Sequence, residues 1–441
     1  MKKTQRIALA WILLSIGISV LLGSFQAHSS FSGMTDFKAV YYGARCLIQH
    51  GDPYQADQFM RVYLESKWET QFEHVMSGPF HDAISLCINL PTTLFLIAPF
   101  ALLPWGLACW LWTTLVAAGL TLAAFLMWNL AANHSSGVSL FLVCILLANC
   151  FILFAYGNAA GLVVGLCVVA VWCILQERFV PAGILCLAVS LAIKPHDAGL
   201  VWLYFLLAGG VYRKRALQVL AVTIVLGLPA VLWVSSAAPH WMPELQSNIL
   251  TDSAHGALND PGPASIDFLG PDPIVNLQSV ISILRDDPRI YNPVSYLLSG
   301  VLLLVWSLAT LRSRVSPANT WLALAAIATL TMLVTYHREH DAKILLLTVP
   351  ACAMLWAEGG PIGWFALLAN TAGILIAGDI PSMLLVIFIR NLPLSMAKLF
   401  GKIETILLVR PATLMLLVLG IFYLWVYVRR ALRNQSPELP V

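Results

Sequence analysis

Long uncharged apolar runs alternate with short polar breaks along this chain. The first run, Ile7–Gly23, follows Lys2, Lys3 and Arg6. Further runs occupy Pro91–Leu103, Trp105–Leu130, Val138–Ala155, Ala159–Leu175, Pro181–Ile193, Ala198–Val211 and Ala216–Val234. After a polar stretch come Val294–Leu311, Ala318–Thr335, Ile344–Ala357, Gly359–Gly378 and Pro411–Val428. Backbone groups find no water inside lipid, so spanning segments are helices or closed barrels. These runs lack the alternation of barrel strands. The pattern predicts an all-α polytopic membrane protein, a bundle of about 11–13 transmembrane helices forming one domain over the whole chain. Residues 380–410 are apolar but interrupted by Arg390, Pro393, Lys398, Lys402 and Glu404, which predicts an interfacial or re-entrant stretch.

Composition agrees. Of 441 residues, 59% are hydrophobic and 11% charged, where a soluble domain carries about 25% charged residues. The net charge of +3 comes with clustered basic residues. Lys2–Arg6, Arg213–Arg215, Arg312–Arg314 and Arg429–Arg433 mark cytoplasmic ends, and membrane orientation explains them better than a nucleic-acid partner. The first run reads as a retained signal-anchor rather than a cleaved signal peptide. Loops 24–90 and 235–293 and residues 336–342 are then expected outside the membrane, with a cytoplasmic tail at 429–441. One conflict remains. If every run from Pro91 onward crosses, Arg213 falls on the wrong side, so one of Pro91–Leu103, Pro181–Ile193 or Ala198–Val211 does not cross fully. Nine cysteines show no metal-binding spacing. Cys46 and Cys87 share the first outer loop, where an oxidising compartment would let them pair.

Chemistry concentrates just past the first run. In Thr35–Arg45, Val40, Tyr41, Ala44, Leu47 and Ile48 recur at helical spacing, with Lys38, Tyr42, Arg45 and Gln49 opposite. This predicts a short amphipathic helix at the interface, ended by Gly51-Asp52-Pro53-Tyr54. Asp36 is either an N-terminal cap with Thr35 or a carboxylate held at the mouth of the protein. Lys194 interrupts apolar sequence, so it is a site candidate, with snorkelling or an Asp197 ion pair as the alternative. His337 and Asp341, four apart, share a helix face, but two ligands are too few to assign a metal. Loop 235–293 holds Asp252, His255, Asn259, Asp260, Asp267 and Asp272 among turn residues. It is either a cover over a site or a solvated connector.

Several of these pieces together resemble glycosyltransferase family 87, the polyprenol-phosphate-mannose-dependent mannosyltransferases of the GT-C class. The pieces are Thr35-Asp36-Phe37 with Tyr41-Tyr42, Gly51-Asp52-Pro53-Tyr54, Leu90-Pro91, and Ala98–Pro104. Then come Gly157-Asn158, Ala192-Ile193-Lys194-Pro195, Asn276-Leu277-Gln278-Ser279 and Tyr336–Asp341. Leu90, Asn158 and His340 depart from the usual residues. The resemblance implies a GT-C-like bundle with extracytoplasmic juxtamembrane helices. It also implies transfer of a hexose, expected to be mannose, from a polyprenyl-phosphate donor to a glycolipid, glycan or protein acceptor. The reaction would invert the anomeric carbon, with Asp36 as base. Tyr41, Tyr42, Asn158, Lys194, His337, Arg338, His340 and Asp341 are the expected substrate-binding residues. No cofactor is expected, and the protein would sit in a bacterial plasma membrane with its site facing out of the cytoplasm. A transporter or lipid flippase is the alternative, since it too would use short helices and an intramembrane lysine. A structural scaffold would not cluster its polar residues.

Overall fold

The computed structural model describes residues 2–29, 33–65, 86–266, 268, 272–390 and 402–433. Among these the protein is helical, with one antiparallel bridge between Ile274 and Arg338. Seven helices are long and apolar enough to cross a membrane: Lys3–His28, Trp105–Tyr156, Gly210–Ala237, Pro288–Arg312, Pro317–Val334, Glu339–Glu358 and Pro411–Leu432. Shorter apolar helices stand among them at Pro91–Ala101, Ala160–Leu175, Val180–Ile193 and Gly360–Ile376. The long rod Trp105–Ala148 breaks at Ser135, whose φ of −154° and ψ of 98° leave the helix. The break falls in Asn133-His134-Ser135-Ser136-Gly137. The Ser139 hydroxyl donates to the Ser135 carbonyl at 2.7 Å and secures the turn. Two adjacent passes result, as the two apolar runs there predict.

Pro317–Val334 lies at the centre, buried from Asn319 to Leu333. The helix Ala160–Leu175 meets the rod closely at Gly165, where a Cβ would stand 2.9 Å from the Gly119 backbone. Small residues let helices approach in this way where lipid gives no hydrophobic drive. Gly210–Ala237 instead leaves Ile224, Val225, Leu228 and Leu232 exposed, a face suited to lipid.

The bundle has two chemically different ends. At one, Gln5 donates to Asn129 at 3.2 Å, Arg215 pairs with Glu177 at 3.6 Å, and Arg430 pairs with Glu358. The basic clusters therefore gather there. At the other end lie Asp36, Asn158, Lys194 and the segment from Tyr336 to Asp341. Val180–Ile193 and Pro195–Ala208 each run between the ends, since Glu177 and Arg213 sit at one and Lys194 at the other. Pro91–Ala101 does not. The Thr92 and Thr93 hydroxyls donate to the carbonyls of Ala192 and Ile193, and the carbonyl of Leu103 accepts from Tyr41 at 2.7 Å. Both ends of this 11-residue helix thus stay beside the Asp36 end, and the parity conflict in the charge pattern disappears.

One expectation needs correction, and two readings left open by the sequence are resolved. Thr35–Ile48 forms, but it is not an interfacial helix with one wet face. Phe37 to Ala44, Cys46 and Leu47 are all buried, because Ala56–Leu64 and Pro91–Ala101 pack over the helix. Loop 235–293 is not a plain connector, for it contains the helices Trp241–Asp252 and Leu277–Leu284, and the next span starts early, at Pro288. Cys46 and Cys87 are buried free thiols. The re-entrant reading of 380–410 meets two short helices, Asp379–Arg390 and Lys402–Val409, whereas residues 391–401 lie outside the described residues. So do residues 30–32 and 66–85 of the first outer loop, Asp267, and the tail beyond Arg433.

Candidate active site

Met34 opens the helix carrying Asp36. Its left-handed backbone, φ 58° and ψ 26°, turns the chain, and its amide donates to the Ala155 carbonyl at 2.7 Å. The N-cap residue Met34 makes no side-chain cap hydrogen bond. The Asp36 carboxylate accepts a hydrogen bond of 2.6 Å from Nδ2 of Asn158.

Gly157 sets that contact. Its φ of +64° suits glycine, and a Cβ there would stand 2.8 Å from both Phe37 Cβ and Met34 Cε. The Gly157 carbonyl accepts from the Trp112 indole at 2.8 Å, which fixes the turn from below. Asn158 Oδ1 accepts from the Ala160 amide at 2.8 Å, holding the side-chain amide with its donor toward Asp36. That oxygen also meets Lys194 Nζ at 3.4 Å.

Lys194 stands between two helices, at φ −137° and ψ 85°, before Pro195. A proline disfavours helix in the residue before it, so the Lys-Pro pair produces this break. Lys194 Nζ contacts Asp341 Oδ1 at 2.6 Å and Asp197 Oδ2 at 3.6 Å. The other oxygen of Asp341 accepts from the Arg338 amide at 2.9 Å. His340 Nδ1 meets Asp272 Oδ2 at 2.6 Å, and its Nε2 lies 3.5 Å from Asp341. The long loop is pinned alongside by the Ile274–Arg338 bridge and by the Val275 amide on the His337 carbonyl at 2.8 Å.

Burial, the largest influence on Asp36, pushes its proton affinity up. His340, the Asn158 hydrogen bond and Arg338 pull it down, Asp272 adds to the rise, and the net shift is upward. Burial also pushes Asp272 up, but His340 and Arg338 outweigh it and hold Asp272 below the usual carboxylate range. Two carboxylates near one another are thereby separated, one poised to take a proton and one fixed as an anion.

The sequence profile of glycosyltransferase family 87 matches residues 88–336. The chain belongs to that family. No curated protein and no solved structure matches it. The family match covers Asn158 and Lys194 but neither Asp36 nor His337–Asp341. The hydrogen bonds of Asp36 to Asn158 and of Lys194 to Asp341 join those outlying residues to the matched region.

The expected site residues divide into four groups. Asp36, Asn158, Lys194 and Asp341 form one connected polar line, and His340 joins it through Asp341. Tyr41 and Tyr42 stay apart, fully buried in an aromatic cluster with Phe37, Tyr63, Trp105 and Trp112. They support the floor under the helix. Arg338 anchors the loop: its guanidinium donates to the carbonyls of Asp272 and Leu258, to Asn259 Oδ1 and to the Tyr336 hydroxyl. His337 Nε2 meets Asp197 Oδ1 at 3.2 Å. The family's Asn-Gln-Ser element is a helix cap here, with Asn276 Oδ1 accepting from the Ser279 amide at 2.8 Å. Sequence reasoning missed His196 and Asp272 as members of this region. His196 follows Lys194-Pro195 directly, and that position was its available signal. Asp272 was only one of several loop acids.

Proposed function

We propose that this membrane glycosyltransferase moves a hexose, mannose by the family resemblance, from a polyprenyl-phosphate donor to an acceptor on the extracytoplasmic face. Asp36 is the base. It removes the proton from an acceptor hydroxyl, whose oxygen attacks the anomeric carbon. The carbon–oxygen bond to the lipid phosphate breaks, its electrons leave with the phosphate, and the anomeric configuration inverts. Lys194 supplies positive charge to the departing phosphate.

The observation that carries this reading is the 2.6 Å contact of Asn158 with Asp36, next to Lys194. It gives a partly exposed carboxylate of raised proton affinity one side-chain amide away from a cation. That is the arrangement an inverting transfer needs. The gathering of basic clusters at the opposite end of the bundle supports an outward-facing site, reached by a lipid-carried donor without a nucleotide sugar. The acceptor would be a glycolipid, a glycan or a protein within reach of the membrane surface.

The test is incubation of membranes containing the protein with radiolabelled polyprenyl-phosphate mannose, and with the glucose analogue. The label should enter a product whose appearance requires the protein, with mannose preferred. Movement of labelled sugar across the membrane without a new bond would overturn this reading in favour of a transporter.

A further inference from the structure

His196, Asp197 and His337 form a cluster the transfer chemistry above does not use. His196 and Asp197 stand in the first turn of Pro195–Ala208, and His337 comes from the segment after the central helix. One donor atom from each lies within 4.8 Å of the other two. Asp197 Oδ1 is 3.2 Å from His337 Nε2 and 3.7 Å from His196 Nε2. Bonds of about 2.0–2.1 Å to a tetrahedral ion place neighbouring donors roughly 3.3–3.4 Å apart, a spacing these two distances bracket.

The hydrogen-bond inventory points the same way. His337 Nδ1 lies 3.3 Å from the Thr335 carbonyl, which only accepts, so Nδ1 carries the proton. In the neutral tautomer that this contact selects, Nε2 is a free lone pair aimed at a carboxylate oxygen. In that tautomer two acceptors face each other in a place with almost no solvent, since Asp197 is 2% and His337 0% exposed. Both oxygens of Asp197, Nε2 of His337 and Nε2 of His196 lack a hydrogen-bond partner. Buried acceptors left in this way are costly. Lys194 approaches the other oxygen of Asp197, at 3.6 Å, which leaves Oδ1 to the imidazoles.

We propose that His196, Asp197 and His337 bind a divalent transition metal of the zinc class, through two imidazole nitrogens and one carboxylate oxygen, with a further position open on the His196 side. Imidazole with carboxylate suits zinc, copper or nickel better than magnesium. The ion satisfies the facing acceptors. It also ties the start of Pro195–Ala208, next to Lys194, to the segment that carries His340 and Asp341. Its role is to position these elements, and its binding is independent of whether the transfer reaction assigned above is correct.

The test uses the full-length protein in detergent, stripped with a chelator and titrated with cobalt(II). Wild-type protein should take up one equivalent, develop visible absorption bands of a four-coordinate site, and lose them to added zinc. Outer-sphere changes alone cost 10–100-fold in metal affinity, so His196→Gln and Asp197→Asn should each weaken cobalt binding by at least tenfold. His134→Gln, at the other end of the bundle, should bind as wild type. His196 is 31% exposed, so His196→Gln reports on binding with little cost to folding. Thermal unfolding of each sample verifies the fold. The proposal is overturned if folded wild-type protein shows no saturable cobalt signal, or if His196→Gln and wild type bind alike. The buried pair would then be a protonated imidazole on Asp197.

Discussion

Replacing Gly157 by alanine tests how the protein places its candidate base. The left-handed backbone at φ +64° costs an L-residue roughly 1–2 kcal/mol. The new methyl would meet Phe37 Cβ and Met34 Cε, each at 2.8 Å. Met34 Cε can swing aside, but Phe37 Cβ is fixed to the helix that carries Asp36. Overpacking of this kind costs about 1–3 kcal/mol, so the combined loss is about 2–5 kcal/mol. Relief requires the Asn158 turn and the Asp36 helix to separate. A shift of about 1 Å at a reacting group costs on the order of 100-fold in rate. Thermal unfolding in detergent, measured beside the transfer rate from a lipid-linked donor, gives both quantities. Gly119→Ala is the control, since its Cβ would meet nothing nearer than Leu162 Cδ1 at 3.9 Å. We expect Gly157→Ala to unfold several degrees lower and to transfer at a few per cent of the wild-type rate or less, with Gly119→Ala near wild type in both. Wild-type stability and turnover in Gly157→Ala would refute the idea that this glycine sets the Asn158–Asp36 contact.

Other consequences are as direct. Lys194→Met strands the carboxylate of Asp341, which is 1% exposed. Breaking a buried pair in this way costs roughly 3–5 kcal/mol, so Lys194→Met with Asp341→Asn should regain stability without regaining transfer; recovery of transfer would remove Lys194 from the phosphate role. Because burial raises the proton affinity of Asp36, the acid limb of kcat/KM should lie above the ordinary carboxylate range, with activity lost as pH falls through it; a limb at the unperturbed aspartate value would contradict this. The folded state also holds that proton more tightly than the unfolded chain. The stability contributed by Asp36 is therefore present at low pH and declines as pH rises through the raised value. A single cysteine at exposed Ser253, in a background without native cysteines, should react with an impermeant thiol reagent on intact cells, and one at exposed Lys214 only after permeabilisation; the reverse pattern would invert the topology.

Much of the fold is written in the spacing of apolar runs. Lipid forces the backbone into helices, so the helical class and most passes follow from length and charge. The non-crossing segment was not legible, because Pro91–Leu103 looks like any other short apolar run. Only the hydrogen bonds of Thr92, Thr93 and Tyr41 to distant carbonyls reveal that it stays at one end. The wet face predicted for Thr35–Ile48 failed for a related reason. Periodicity reports polarity, and it cannot report that later helices pack over the polar side. Within the candidate site, Asp36, Asn158 and Lys194 were marked by family motifs and by charge in apolar surroundings. Tyr41 and Tyr42 shared the motif but went into the aromatic floor. Asp272 had no distinguishing local pattern, since its meaning lies in a contact across 68 residues with His340, and the place of His196 after Lys194-Pro195 gave no sign of its ring contact with His337 in the segment after the central helix.

The assignment of Asp36 as the base is tested most directly by Asp36→Asn. The amide keeps the side chain's size while losing the ability to take a proton, and the raised proton affinity of the carboxylate means its neutral form already fits the folded protein. With radiolabelled polyprenyl-phosphate mannose and membranes containing equal amounts of each protein, Asp36→Asn should insert normally and lower transfer by roughly 10²–10⁴-fold. Turnover by Asp36→Asn at the wild-type rate would contradict the account.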